Sequence, residues 1–181
     1  MIYVFLAEGF EEVEALTPVD VLRRAKQNVQ TVGVGGRVIT GAHGISVTAD
    51  ITADELRLDG ALQLIVLPGG MPGTLNLEAS DAVQQALTYC TEHDILIGAI
   101  CAAPSVPGKR GMLSGKKAVC YPGFEKYLTG AEIPDVPAVR DGNFITGRGP
   151  GAAMDFALLL AETLCGAECA AQLAAGMVYT K

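Results

Sequence analysis

The stretch Ile95-Leu-Ile-Gly-Ala-Ile-Cys101-Ala-Ala-Pro104 is the most informative segment of the chain. Ile95 to Ile100 carry no charged or polar side chain, which is typical of a central strand in a parallel sheet covered by helices on both faces. Cys101 follows at the carboxyl end of this strand, where open α/β sheets place their ligand sites. Ala99 and Ala103 are small, as a sharp strand-to-helix turn around an exposed nucleophile requires. The pattern predicts a nucleophile elbow, and a buried structural cysteine is the equally weighted alternative.

The remainder of the chain alternates between buried strands and helices. The predicted strands are Ile2–Ala7, Asn28–Val34, Ile45–Ala49, Leu62–Leu67 and Lys117–Tyr121, with a hairpin around Asp141-Gly142. The predicted helices begin at Thr17-Pro18 (or in the acidic run before it) and at Ser80, and cover 152–164 and 168–175 near the end. This alternation predicts an α/β fold with a mostly parallel sheet, and the lack of a linker predicts a single domain over residues 1–181.

Composition excludes several classes of protein. The net charge of −7 and the absence of a basic cluster argue against a nucleic-acid partner. We expect no signal peptide and no membrane span, because the first apolar run ends at Glu8. Five cysteines without C-x-x-C spacing argue against a disulfide framework or a zinc site. Cys165 and Cys169 are four residues apart on a predicted helix or at its end, and the sequence leaves open whether they do more than pack. A reducing, cytoplasmic compartment is therefore expected.

Three predicted loops lie at carboxyl ends of strands and should converge on Cys101. The first contains Glu11, Glu12 and Glu14, and a partly buried carboxyl group beside a thiol can take or give a proton. Glu14 is the favoured candidate, because the apolar residues Ala15 and Leu16 follow it and place it where the chain turns toward the core. The second loop, Pro68-Gly69-Gly70, matches no phosphate-binding motif, but its N–H groups could form an oxyanion hole with that of Ala102. A solvated acidic loop and a plain tight turn are the structural alternatives.

The two histidines give no support for a Cys–His dyad within one subunit. His93 follows a predicted helix and is expected at the surface, and His43 lies in a loop before a strand. Thiol protease chemistry is therefore disfavoured. Arg24 and Arg148 could bind anionic ligands or form structural pairs, and the sequence favours structural pairs.

These segments together resemble the ThiJ/PfpI superfamily, in its DJ-one (deglycase-like and glyoxalase III-like) branch. The resemblance covers essentially the whole chain. Its carriers are Ala7-Glu-Gly-Phe-Glu-Glu-Val-Glu14, Pro18-Val-Asp-Val-Leu-Arg-Arg-Ala25, Val66-Leu-Pro-Gly-Gly70, Ala99-Ile-Cys-Ala-Ala-Pro104, Cys120-Tyr-Pro122 and Gly147-Arg-Gly-Pro-Gly151.

The resemblance implies a flavodoxin-like three-layer sandwich, a single class I glutamine amidotransferase-like domain, and a homodimer. It makes Cys101 the reactive cysteine, with Glu14 hydrogen-bonded to its sulfur. It also implies that the backbone N–H groups of Gly69, Gly70 and Ala102 bind an oxyanion. No cofactor or metal is expected.

Four further residues match family positions in the pocket or at the dimer contact: Glu11, Arg24, His43 and Tyr121. Two features depart from the family. Tyr121 stands where some relatives have the histidine of a Cys–His dyad, and Pro107-Gly108 interrupts the helix after the cysteine, whose amino end should favour a thiolate.

The resemblance implies a cofactor-independent cysteine enzyme acting on reactive carbonyls. Its reactions would be conversion of methylglyoxal to lactate, or deglycation of proteins or nucleotides, so that small aldehydes or glycated adducts are the expected substrates. The alternative is a redox sensor, stress-response protein or chaperone that uses oxidation of Cys101. A cysteine peptidase ranks below both because the histidine partner is missing.

Overall fold

The computed structural model describes residues 1–180, in which strands and helices alternate. The strands are β1 (Ile2–Ala7), β2 (Val29–Val34), β3 (Val38–Thr40), β4 (Ser46–Thr48), β5 (Ile51–Thr52), β6 (Leu64–Leu67), β7 (Leu96–Ile100), β8 (Ala138–Asp141) and β9 (Phe144–Gly147). The helices are α1 (Glu12–Arg24), α2 (Gly73–Ala79), α3 (Asp81–Glu92), α4 (Ser105–Lys109), α5 (Ala153–Cys165) and α6 (Ala167–Gly176).

The main sheet has seven strands in the order β5-β2-β1-β6-β7-β9-β8. All neighbouring pairs in this sheet are parallel except β8 and β9, which form the predicted hairpin. The order β2-β1-β6-β7-β9 is the flavodoxin-like pattern, in which the strand order reverses beside β1. The prediction of a mostly parallel α/β sheet is confirmed, and a ligand crevice is expected above the carboxyl ends of β1, β6 and β7.

The sheet separates two apolar layers, which explains why its central strands β1, β6 and β7 lack charged side chains. Along β1, Ile2, Val4 and Leu6 point into a layer formed with α1 and α5, whereas Phe5 and Ala7 point into a layer formed with α2, α3 and α4. These side chains are fully buried, and each large one contributes roughly 1.5–3 kcal/mol to the free energy of unfolding. The three-layer sandwich follows from burial of both faces.

The helices within residues 1–180 are short. The longest, α1 and α5, have 13 residues each, and none is long and apolar enough to cross a membrane. The cytoplasmic location stays a prediction.

Helix α1 begins earlier than the Thr17-Pro18 signal predicts. Its first residue is Glu12, and the side chain of Glu11 caps it by accepting the N–H of Glu14 at 2.7 Å. Pro18 therefore lies inside the helix, where it cannot donate to the carbonyl of Glu14. Because α1 begins at Glu12, Glu14 lies on the first turn of the helix, above the carboxyl end of β1.

Two segments depart from the predicted strands and helices. Lys117–Tyr121 is not a strand, since it forms a single bridge between Lys117 and Glu132 and then runs across the sheet toward Cys101. The predicted strand at Ile45–Ala49 exists as β4, but it pairs with β3 in a separate hairpin rather than with the main sheet. Both β3 and α2 were absent from the predicted elements.

One pair of cysteines differs from the prediction. Cys165 and Cys169 form a disulfide across the junction of α5 and α6, although the number and spacing of the cysteines argued against disulfides. Gly166 lies between the helices with a φ of +88°, a backbone conformation that glycine adopts at little cost. This tight junction brings the two Cα atoms to 5.9 Å, which is within the usual range for a disulfide.

Candidate active site

Cys101 occupies the predicted elbow at the end of β7. Its φ is +64°, an uncommon conformation for a residue with a side chain, and such strain concentrates at functional sites. Hydrogen bonds hold the turn in place: the N–H of Cys101 donates to the carbonyl of Gly147 at 2.9 Å, and the N–H of Tyr121 donates to the carbonyl of Cys101 at 2.8 Å. The residue is buried but is 8% exposed, more than either of the other free cysteines, Cys90 and Cys120.

Two backbone N–H groups point at the sulfur of Cys101, one from Ala102 and one from Gly70. Both lie where the sequence predicts an oxyanion hole. Gly70 has a φ of +89°, and a side chain at this position would collide with the backbone of Phe10 and Glu11. Only glycine therefore allows the second loop to pack this closely against the loop after β1.

Glu14 lies beside Cys101 and is completely buried. Its Oε2 accepts the N–H of Gly69 at 2.9 Å, while its Oε1 has no hydrogen-bond partner within residues 1–180. Burial raises the pKa of Glu14 from its usual 4.5 to about 7; the nearby charge of Glu11 adds to this rise, and hydrogen bonds from Cys101 and Gly69 oppose it. Glu14 is therefore poised to exchange a proton near neutral pH.

The two side chains of Cys101 and Glu14 act as a coupled pair. Burial raises the pKa of the Cys101 thiol, as do the charge of an ionised Glu14 and the hydrogen bond to it, whereas the N–H groups of Ala102 and Gly70 lower it. Protonation of Glu14 removes the repulsive charge and supplies a hydrogen-bond donor to the sulfur. A thiolate thus requires a protonated Glu14.

Gly69 does not match its predicted role as an oxyanion donor. Its N–H is committed to Glu14, so Gly70 and Ala102 supply the two donors that face the sulfur. A Cβ atom on Gly69 would lie 2.6 Å from Glu14 Oε2 and 2.7 Å from the Cβ of Cys101. Gly69 instead allows the acid and the thiol to approach each other.

Glu11, Glu12 and His43 form a second cluster beside the site. Glu12 accepts the backbone N–H of His43 and contacts its ring nitrogen, each at 2.8 Å, and these hydrogen bonds outweigh burial and lower the pKa of Glu12. The hydrogen bond to Glu12 raises the pKa of His43. One ligand atom from each residue lies within 4.8 Å of the others, but these contacts and the capping role of Glu11 account for the cluster, and we assign no metal site.

Tyr121 is held directly beside Cys101 by the backbone hydrogen bond described above, and its side chain is 47% exposed. It forms one wall of an open cavity of about 430 Å³. The other lining residues are Pro122, Asp135, Val136, Pro137, Arg148, Gly149, Pro150, Gly151 and Ala152. Neither Cys101 nor Glu14 lines this cavity, and a role of Tyr121 at the substrate pocket or the dimer contact stays a prediction.

The two arginines form ion pairs. Arg24 pairs with Asp20 at 2.8 Å in the last turn of α1, ten residues or roughly 15 Å along the helix from Glu14. It therefore lies outside the pocket of its own chain, and a dimer contact stays a prediction. Arg148 pairs with Asp135 at 2.5 Å, as favoured for a structural arginine.

Two residues that position the site were not predicted. The carbonyl of Gly147 holds the N–H of Cys101, and the buried hydroxyl of Thr146 accepts the N–H of Val119 at 2.8 Å. The hydrogen bond between Val119 and Thr146 positions the segment that leads to Tyr121. The Phe-Ile-Thr-Gly run signals a strand, but nothing in it indicates which loop its end supports.

The comparisons with known proteins agree with this geometry. A model of the DJ-1/PfpI family matches residues 1–163. Protein dj-1beta of Drosophila melanogaster is 38% identical over 178 residues, covering 97% of this chain and 95% of that protein. Deglycase PfpI of Pyrococcus furiosus is 35% identical over 148 residues, covering 80% of this chain and 87% of that protein.

A solved structure supports the same assignment. The crystal structure of a mutant DJ-1 superfamily protein from Salmonella typhimurium has a TM-score of 0.93 and 36% identity, and the match covers 99% of this chain and 98% of that one. The family match, the fold and the cysteine elbow agree, and the chain therefore belongs to the DJ-1/PfpI family.

Proposed function

We propose that this protein is a cofactor-independent cysteine enzyme that converts reactive 2-oxoaldehydes to 2-hydroxy acids, with methylglyoxal and lactate as the model pair. The observation that carries the proposal is the contact between the Cys101 thiol at the elbow and a fully buried acid, Glu14, whose pKa is raised to about 7. The deglycase name of one relative supports the same substrate class, because deglycation also begins at a carbonyl adduct.

The first step is addition of the thiol to the aldehyde. When Glu14 holds the proton, the Cys101 thiolate attacks the aldehyde carbon and forms a carbon–sulfur bond, while the carbonyl electrons move to oxygen. The resulting oxyanion lies close to the elbow, where the N–H groups of Gly70 and Ala102 can donate to it. Glu14 then protonates the oxygen and becomes a carboxylate.

The second step moves a proton from carbon to carbon. The Glu14 carboxylate removes the proton from the sulfur-bearing carbon, giving an enediolate whose charge lies on the oxygen of the neighbouring carbon. Glu14 returns this proton to the neighbouring carbon, and the hydroxyl proton on the sulfur-bearing carbon passes to the neighbouring oxygen, so that a carbonyl forms at the first carbon and a hydroxyl at the second. This produces a thioester between Cys101 and the 2-hydroxy acid. Water hydrolyses the thioester and restores the thiol, so the sum is methylglyoxal plus water giving lactate, with no external oxidant or reductant.

Glutathione-free consumption of methylglyoxal, with chiral detection of lactate, tests the proposal. We expect the wild-type protein to form one lactate enantiomer in equal amount to the aldehyde consumed. Loss of aldehyde without lactate would indicate simple thiol adduct formation and would refute the proposed turnover.

Gly69→Ala should damage the site without disturbing the fold. The added Cβ would press on both Glu14 Oε2 and the Cβ of Cys101, and displacement of reacting groups by about 1 Å can reduce rates roughly 10²-fold. We expect a loss of this size in kcat/KM for methylglyoxal. Gly60→Ala is the matched control, because a Cβ there meets open space and should leave turnover unchanged. Equal activity in both variants would contradict the tight acid–thiol contact.

The alternative function, redox sensing through Cys101, is supported by the same donors. Oxygens added to the sulfur could accept hydrogen bonds from Gly70, Ala102 and a protonated Glu14. A wild-type protein that has an intact thiol and no turnover, and that forms the sulfinate at Cys101 under mild peroxide, would favour this function.

We also propose the homodimer that the resemblance implies. Exposed apolar side chains on α1 and the adjacent β3–β4 hairpin support it, namely Val13 at 50%, Leu16 at 37% and Ile45 at 55% exposure. His43, which contacts Glu12 near these residues, would then lie at the interface. The molecular mass in solution decides this point.

A further inference from the structure

We propose that Cys165 and Cys169 form a second redox site, whose disulfide exchanges with low-molecular-weight thiols without participation of Cys101. Cys165 is the last residue of α5, and Cys169 is the third residue of α6. Gly166 caps both helices and holds the two cysteines in bonding range. The site is thus built by a helix–helix junction far from the elbow.

Accessibility distinguishes this pair from the other cysteines. Cys165 and Cys169 are both partly exposed, whereas the three free cysteines, Cys90, Cys101 and Cys120, are buried. Thiol–disulfide exchange requires an incoming thiolate to approach a sulfur along the S–S axis, so exposure is a precondition. The disulfide is the sulfur group that a small thiol in solution reaches with least obstruction.

The junction accommodates the reduced form as well as the disulfide. The sulfur of Cys165 lies 3.0 Å from the carbonyl oxygen of Ala161, which provides an acceptor for a thiol at this position. Cys165 and Leu173 also pack against the apolar layer that contains α5, so hydrophobic contacts hold α6 in place without the disulfide. The redox state of the pair can therefore change while the fold persists.

The position of Cys169 determines which sulfur is attacked and which one leaves. It lies in the first turn of α6, where unpaired N–H groups and the positive helix end stabilise a thiolate. An incoming thiolate forms a bond to Cys165, the S–S bond breaks, and its electron pair leaves on Cys169. A second thiolate then attacks the added sulfur and releases Cys165. Two electrons enter the protein, two protons restore the thiols, and the small thiol leaves as its disulfide.

Cys101 is too distant to take part. Its backbone N–H donates a hydrogen bond to the carbonyl of Gly147, six residues before α5 begins. Cys165 lies at the opposite end of this 13-residue helix. The helix spans roughly 20 Å, whereas a disulfide requires Cα atoms within about 7 Å. The redox behaviour of the pair is consequently independent of the carbonyl chemistry proposed above.

A redox titration of the folded protein tests the proposal. The wild type is equilibrated with graded ratios of reduced and oxidised dithiothreitol, quenched in acid, denatured, and alkylated with N-ethylmaleimide for mass measurement. We expect the labelled thiols to increase from three to five in a single two-electron transition. Cys101→Ser should show the same transition with one label fewer. Reduction that occurs only in denaturant, or that is lost in Cys101→Ser, would overturn the proposal.

Oxidised glutathione tests the order of the two sulfurs. Reduced Cys169→Ser should retain a glutathione adduct on Cys165, whereas reduced wild type should expel glutathione and recover the internal disulfide. A persistent adduct on Cys165 or Cys169 of the wild type, located by peptide mass mapping, would refute the exchange. The double variant Cys165→Ser/Cys169→Ser should lack the transition and keep its thermal midpoint and carbonyl turnover; large unfolding of this variant would show that the disulfide is structural.

Discussion

Replacement of Cys101 by serine is expected to reduce kcat/KM for methylglyoxal by at least about 10³-fold, equivalent to about 4 kcal/mol of transition-state stabilisation. Serine keeps a similar shape at a position with a φ of +64°, and the N–H groups of Gly70 and Ala102 remain in place. The hydroxyl, however, ionises far less readily than a thiol and Glu14 cannot activate it sufficiently. The variant therefore changes the nucleophile and leaves the other groups of the site in place.

The control for this experiment uses the other buried thiols. Cys90 packs from α3 into the apolar layer that α2, α3 and α4 share, and Cys120 precedes Tyr121 in the segment near the site. Cys90→Ala and Cys120→Ala remove a thiol without touching the elbow, so turnover within about twofold of wild type is expected. Turnover by Cys101→Ser at a similar level, with lactate formed, would eliminate covalent catalysis at Cys101.

The fold was predictable because the central strands are buried on both faces. Ile2–Ala7 and Ile95–Ile100 contain no charged side chain, and the hydroxyl of Tyr3 is the one polar group among them. Runs of this kind, in a chain with helices between its strands, are typical of strands in a parallel sheet. The elbow was predictable for a related reason, since the small residues Ala99 and Ala103 leave space for a sharp turn. Local composition carries both signals.

The remaining features depend on contacts between distant parts of the chain. Whether the N–H of Gly69 faces an oxyanion or Glu14 depends on how the second loop docks against α1, and 55 residues separate the two partners. The path that brings Tyr121 to Cys101 depends on Thr146, a strand residue with no sequence mark of this role. The Cys165–Cys169 disulfide required the positive φ of Gly166, which helix periodicity does not reveal.

Glu14→Gln is expected to reduce turnover nearly as much as Cys101→Ser, by roughly 10²–10⁴-fold, the usual range for loss of a general acid–base group. The amide is close in shape to a protonated carboxyl group, and its oxygen can still accept the N–H of Gly69. It cannot, however, take a proton from carbon. Turnover is measured with the glutathione-free assay, and activity close to wild type would reject the proton-transfer role of Glu14.

The same variant should become more stable relative to wild type as the pH rises from 5 to 8. In the folded protein the pKa of Glu14 is about 7, above its usual 4.5, so the folded state binds more protons than the unfolded state between these values. Wild-type stability must then fall as pH rises through this window, by an upper bound of roughly 3 kcal/mol. Gln cannot ionise, so the free energy of unfolding of Glu14→Gln does not fall with pH for this reason.

Urea unfolding of both proteins at pH 5 and pH 8 measures this difference directly, with Glu162→Gln as the control because that side chain is exposed on α5. The free energy of unfolding of Glu14→Gln minus that of wild type should rise with pH, while the control difference stays constant. A difference that does not change with pH would show that Glu14 is ionised throughout. The Cys101 thiol would then face a fixed negative charge, and the proposed route to its thiolate would fail.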